Sequence, residues 1–177
     1  GLRNKGTLNN NGTITIGDSL SIGTTGIVNQ SVFNNNSGAS LVINRCSSRG
    51  VFNLNGTFNN NGNIQFGTIQ PVGIEGIRNK SATFNHNAGT ISIEKSYGYG
   101  IVTDTSSTFN NKGVLTIGSS SVIPSPIFGT GTFNNEIGGE LKAKGTINVS
   151  NFNHNGGTLD PGFPIGLMSF AHKNSLN

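Results

Sequence analysis

The chain has no tryptophan, one methionine, one cysteine and five prolines, and charged side chains make up only 10% of its 177 residues. Each scarcity removes an option. A lone Cys46 cannot form an intramolecular disulfide, so stability has to come from packing and backbone pairing, with the thiol expected to be buried as a small hydrophobe. No stretch approaches the roughly 20 apolar residues that span a bilayer, so no membrane span is expected. No segment joins a 3.6-residue apolar period to helix formers, which argues against a helical repeat. The net charge of +4 rests on few groups. Arg3, Lys5, Arg78, Lys80, Lys142 and Lys144 fall in small pairs separated by neutral sequence, so no nucleic-acid partner is expected. Opening at Gly1 without a methionine, the chain reads as a processed or partial polypeptide.

Asparagine and glycine fill the space left by charge, with 28 and 27 residues, and phenylalanine numbers 11. The aromatics are placed rather than scattered. An aromatic or leucine is followed at once by asparagine at Leu8-Asn9, Phe33-Asn34, Phe58-Asn59, Phe84-Asn85, Phe109-Asn110, Phe133-Asn134 and Phe152-Asn153, in steps of 25, 25, 26, 25, 24 and 19 residues. A period in the twenties marks a unit that cannot bury its own apolar face and must stack on its neighbours.

Each unit carries more than this pair. Upstream lies a Gly-aliphatic-x-Asn pattern, as in Gly1-Leu2-Arg3-Asn4, Gly26-Ile27-Val28-Asn29, Gly50-Val51-Phe52-Asn53 and Gly76-Ile77-Arg78-Asn79. Downstream, after an Asn- and Gly-rich turn, comes an alternating apolar pair: Ile14 and Ile16, Leu41 and Ile43, Ile64 and Phe66, Ile91 and Ile93, Leu115 and Ile117, Leu141 and Ala143. Period-two alternation with β-branched residues predicts short strands with one face inward. The residues between the paired aliphatics, Thr15, Val42, Gln65, Ser92, Thr116 and Lys142, are expected to face solvent. The fold class is therefore all-β: a parallel β-helix, or solenoid, of about seven coils over residues 1–166, each of three short strands, followed by a tail at 167–177.

Stacked coils place each Phe over the next, about 4.8 Å apart, so seven coils make a rod roughly 30 Å long. The asparagine after each aromatic occupies all seven repeats. Stacked amides can bond along the rod and are expected to satisfy corner backbone groups.

Chemistry is sparse. The seven acidic residues share no repeat position in adjacent coils, and Asp18 and Asp104 could meet only if variable segments folded towards each other, so no catalytic residue is assigned and no enzyme is expected. His86 and His154 occupy a position, two after the aromatic, that is asparagine elsewhere; nearly three coils apart, they cannot share a metal and read as surface corner residues. No metal ligand and no cofactor are expected. Sequons at Asn11, Asn29, Asn55, Asn79 and Asn148 are what an Asn-rich chain produces by coincidence. Calcium-binding Gly-Gly-x-Gly-x-Asp repeats are absent. Ice-binding solenoids present regular Thr-x-Thr arrays; Thr13-Ile14-Thr15 is a single instance, and the outward positions between the paired aliphatics are too irregular for that function.

The Asn- and Gly-rich repeats of residues 1–167 resemble those of bacterial extracellular β-solenoids, the adhesin and autotransporter-passenger proteins built as right-handed parallel β-helices. The segment Gly156-Gly157-Thr158-Leu159-Asp160-Pro161-Gly162-Phe163-Pro164-Ile165-Gly166-Leu167 is similar to the Gly-Thr-Leu-x-Pro-Gly-x-x-x-Gly motif that closes repeat stretches in such proteins, with Phe163 and Ile165 where small residues are usual. The resemblance implies an extracellular or cell-surface location. A solenoid also exposes a strand edge at each end, which pairs with other chains unless capped. Gly1 and Leu2 begin in full repeat register, while Leu167, Met168 and Phe170 form either a cap over the last coil or a strand donated to the next subunit. The expected function is structural, a secreted protein that assembles end to end, its partner another copy in a head-to-tail homopolymer. A fragment of an adhesin stalk is the first alternative, and a polysaccharide-binding or -cleaving β-helix, with a cell-surface or matrix polysaccharide as partner, is the second.

Overall fold

The computed structural model describes residues 1–161 and 166–171. Its strands are the three rows that the repeat predicts. The first row holds Leu2–Asn4, Thr25–Asn29, Arg49–Leu54, Glu75–Lys80 and Tyr99–Thr103; the second holds Thr7–Asn10, Val32–Asn35, Thr57–Asn60, Thr83–His86 and Thr108–Asn111. In the sixth and seventh coils, Ser125–Glu136 and Gly145–Asn155 run through both rows, so the two rows form one 13-stranded sheet. The third row, Thr13–Ile16 to Thr158–Asp160, is a 7-stranded sheet. All pairing between these strands is parallel, and like residues meet like: Ile27 lies beside Val51, Phe58 beside Phe84, Ile91 beside Leu115. The fold is a parallel β-solenoid of about seven turns, with no helix among the described residues.

Alternation within each strand decides what is inside. Phe33, Phe58, Phe84, Phe109 and Phe133 are fully buried, and their rings stack nearly parallel with centroids 4.5, 4.6, 4.8 and 5.2 Å apart. Phe152 continues the column at 5.5 Å. Each ring contributes about 1.5–3 kcal/mol of burial, with ~1 kcal/mol more for an aromatic neighbour. The aliphatic pairs of the third row face these rings from across the coil and complete a continuous core. The glycine that opens each unit is a matter of room. A Cβ on Gly26 would meet the Gly50 carbonyl oxygen and the Ile43 Cγ2, both at 2.7 Å, because here the chain turns tightly around the third-row aliphatic.

The segments joining the third row to the next first row alternate in length. Residues 17–24, 67–74 and 118–124 are long, whereas 44–48 and 94–98 are short. Each long segment opens on a left-handed glycine, Gly17, Gly67 or Gly118, with φ of 72°, 70° and 79°. Isolated bridges pair long with short, Ile22 with Cys46 and Val72 with Ser96. The structural unit is thus a pair of coils.

The last described residues begin another turn. Met168–Phe170 pairs in parallel with Gly145–Ile147 of the same chain, placing Phe170 beside Ile147 in the first-row aliphatic column and against the Phe152 ring, centroids 5.0 Å apart. Residues 162–165, which include Phe163 and Ile165 of the closing motif, and residues 172–177 lie outside the described residues.

Candidate functional site

Three amide columns run along the rod. The outer one is the column read from the repeat. Asn34 Nδ2 donates to Asn9 Oδ1 at 2.7 Å, Asn59 to Asn34 at 2.9 Å, Asn85 to Asn59 at 2.9 Å, Asn110 to Asn85 at 2.9 Å, Asn134 to Asn110 at 2.7 Å and Asn153 to Asn134 at 2.8 Å. These amides are exposed or half-exposed, as the residue after an inward Phe must be in a strand. They bond to one another and not to corner backbone groups, which corrects the expectation.

Corner groups are satisfied by two further columns that are buried. Asn4, Asn29 and Asn53 each donate to the asparagine of the next coil at 2.8 Å, ending on Asn79. Their Nδ2 atoms also reach backbone carbonyls of the turn, as from Asn53 to Thr83 O at 2.9 Å and from Asn79 to Ala82 O and Thr108 O at 2.8 Å. The second buried column is two residues after the aromatic: Asn10 to Asn35 at 2.8 Å, Asn35 to Asn60 at 2.7 Å, and Asn60 to His86 Nδ1 at 3.1 Å. Donors of both inner columns point towards the C-terminus, opposite to those of the outer column. A buried amide left unpaired costs ~1–3 kcal/mol, so these columns fix the coil spacing.

His86 is not a surface corner residue. It is fully buried inside the second column. Its Nδ1 accepts from Asn60, so Nε2 carries the proton and donates to Val114 O at 3.2 Å. Burial pushes its pKa below the ordinary histidine value, outweighing the opposite pull of its hydrogen bonds at Val114 and Asn60. The neutral ring has no second N–H, and Asn111 Oδ1 in the next coil is buried without a partner. The column then resumes from Asn111 to Asn135 at 2.8 Å and reaches the half-exposed His154 Nδ1 at 3.4 Å. The first buried column breaks at the same level, where Thr103 replaces asparagine and its Oγ1 has no partner. Both interruptions lie between the fourth and fifth coils.

A chain of charges crosses the outer side of the first row. Glu75, 5% exposed, accepts from Arg49 Nε at 2.6 Å and from Arg78 Nη1 at 2.9 Å. Arg78 binds Asp104 through Nε and Nη2, both at 2.9 Å, while Arg49 lies 4.9 Å from the centre of the Phe52 ring. Burial opposes the Arg78 charge, but Asp104 and Glu75 outweigh it and hold its pKa above the ordinary value. These groups sit 26 residues apart in sequence and became visible only with the register Arg49 beside Glu75.

The structure does not bring the acidic residues Asp18 and Asp104 together. Asp18 is exposed in the long segment of the first coil, and Asp104 is held by Arg78 at a different corner four coils away. Among the described residues no group of three or more His, Cys, Asp or Glu could hold a metal ion, and no helix is long and apolar enough to cross a membrane. Cys46 is buried on the floor of an open groove of about 550 Å³, walled by Ser21, Gln70, Pro71 and Tyr97. Burial pushes its thiol up to about 11, so it is protonated at neutral pH and a poor nucleophile. Of the sequon asparagines, Asn29 and Asn79 are fully buried inside the first column, where no glycan could attach.

One regular surface escaped the sequence reading. In the second row the residue before each inward aromatic also faces outward, and it is Thr7, Val32, Thr57, Thr83, Thr108, Thr132 and Asn151 in successive coils. The signal was the Thr-Phe-Asn tripeptide at 57–59, 83–85, 108–110 and 132–134. Side-chain columns of this kind define the class: an all-β solenoid whose side chains repeat along the rod rather than converge on one cleft. Comparison with protein-family models, with curated proteins and with solved structures returned no match.

Proposed function

We propose that this chain is a structural extracellular protein, a rod that joins others end to end into a fibre and has no catalytic role. The observation that carries the reading is the like-on-like register of the coils, Phe33, Phe58, Phe84 and Phe109 stacked one above the next, which a further coil in the same register would continue. Leu2, Leu8 and Ile14 are only partly buried, whereas Ile27, Phe33 and Leu41, one coil further on, are 0% exposed. Apolar side chains and unpaired strand edges on one face favour a further coil on top of it. At the other extremity Phe170 has already begun a turn in register, so an incoming Leu2 would extend the same column. Contacts of this head-to-tail kind do not close on themselves and generate filaments. The extracellular placement rests on the Asn- and Gly-rich resemblance and the low charge.

Negative-stain microscopy of the purified chain tests this. Filaments are expected for the native sequence, and single short rods for Leu8→Lys or for a chain ending at residue 166. Isolated rods from the native chain at high concentration would refute assembly by copies. The same register also fits a second reading, an adhesin stalk, in which further coils of a longer protein pack on Leu2, Leu8 and Ile14. The length of the complete gene separates the two.

A further inference from the structure

We propose that the outward face of the second row is an ice-binding surface. The face presents two columns, with Thr83, Thr108 and Thr132 beside Asn85, Asn110 and Asn134 in unbroken register. Members of one column repeat at the coil spacing, about 4.8 Å, and the columns are two residues apart along a strand, about 6.6 Å. The result is a two-dimensional lattice whose intervals are close to those between oxygen rows on the faces of an ice crystal. A ligand that engages such an array coil after coil has to be periodic itself.

The chemistry of the face selects among periodic ligands. Neither column contains a charged residue, so a polyelectrolyte gains nothing there. The aromatic rings of the row all point into the core, Phe84, Phe109 and Phe133 being 0% exposed, and none is left to stack on the sugar rings of a crystalline polysaccharide. What remains outside is a row of hydroxyl and methyl groups beside a row of amides, whose polar groups can bond to water at regular intervals. Rigidity matters as much as composition. Asn110 donates to Asn85 and accepts from Asn134, at 2.9 and 2.7 Å, so each amide is fixed by its neighbours before any ligand arrives. The threonines are β-branched and restricted at χ1. A preorganised array loses little entropy on binding, and weak contacts repeated over several coils add up. The irregular outward column that argued against ice binding belongs to the third row, a different face of the rod.

The purified chain is tested for thermal hysteresis and for inhibition of ice recrystallisation. The native chain is expected to be active in both. Joint replacement Thr83→Lys with Thr108→Lys, which breaks the lattice at two half-exposed positions, is expected to weaken both by about tenfold or more. Gln65→Lys, on the exposed side of the third row, is expected to leave them unchanged. Circular dichroism confirms that each variant keeps its strands. Inactivity of the native chain, undiminished activity in the folded double variant, or sedimentation with crystalline cellulose or chitin in place of any effect on ice would each overturn the assignment.

Discussion

Replacing His86 with asparagine is expected to mend the interrupted buried column and to remove an acid-sensitive element. In the native chain the neutral imidazole accepts from Asn60 and gives its one N–H to Val114 O, leaving Asn111 Oδ1 buried and unpaired. An asparagine in the same register has two N–H groups and can serve both acceptors. The gain is about 1 kcal/mol for the new hydrogen bond, with relief of an orphaned acceptor that costs ~1–3 kcal/mol. Against this stands the smaller volume of the amide where the ring packs on Gly113, about 1 kcal/mol. A net stabilisation of about 1–3 kcal/mol at neutral pH follows from these magnitudes. The pH dependence is sharper. The folded pKa of His86 is lowered, while the unfolded chain keeps an ordinary value of about 6.5. Above that value both states are neutral and the native stability is fully present. Below it the unfolded chain takes up a proton that the folded chain refuses, so stability falls with pH, by at most ~1.4 kcal/mol per unit, until the folded pKa is reached. The other two histidines are present in both proteins, so their difference isolates His86. Urea denaturation at about pH 7.5 and about pH 5 should show the variant's advantage widening in acid. An advantage that is constant across this range, or reversed in acid, would refute the reasoning.

Phe84→Ala removes a ring stacked on both sides, at 4.6 and 4.8 Å, and should cost about 3–5 kcal/mol by the same denaturation measurement. The inner and outer asparagines should separate clearly: Asn85→Ala costs about 1 kcal/mol, whereas Asn35→Ala strips partners from buried groups on both sides and costs on the order of 3 kcal/mol. Equal losses for the two would contradict the assignment of inside and outside. Cys46, with its thiol pushed up to about 11 and buried, should resist iodoacetamide in the native chain and react promptly once urea unfolds it; rapid native alkylation would count against the burial.

The repeat made much of this fold legible because its signal is physical. An inward Phe every coil and a pair of alternating aliphatics determine strands, faces and stacking with no knowledge of contacts. The same alternation contains the inner column: if Phe58 points in, Asn59 points out and Asn60 points in. The position of His86, two after Phe84, therefore lies inside, and the expectation of a surface corner residue fails on the alternation itself. The charge chain from Arg49 to Asp104 was beyond reach, since a one-residue slip in pairing would have dispersed it. The outward threonines were visible in the Thr-Phe-Asn tripeptide, but their value as a surface depends on a pairing with no slip from coil to coil, which is a property of the folded chain.

The alternation of long and short joining segments limits how the rod can change in length. Gly17, Gly67 and Gly118 are 50 and 51 residues apart, twice the aromatic step, so the repeating unit is two turns long. Losing or duplicating one turn would bring two connections of like length side by side in place of the long-on-short packing, in which a side chain at Gly17 would already strike the Asn44 carbonyl of the slim connection next door. Natural length variants of this protein should therefore differ by even numbers of turns.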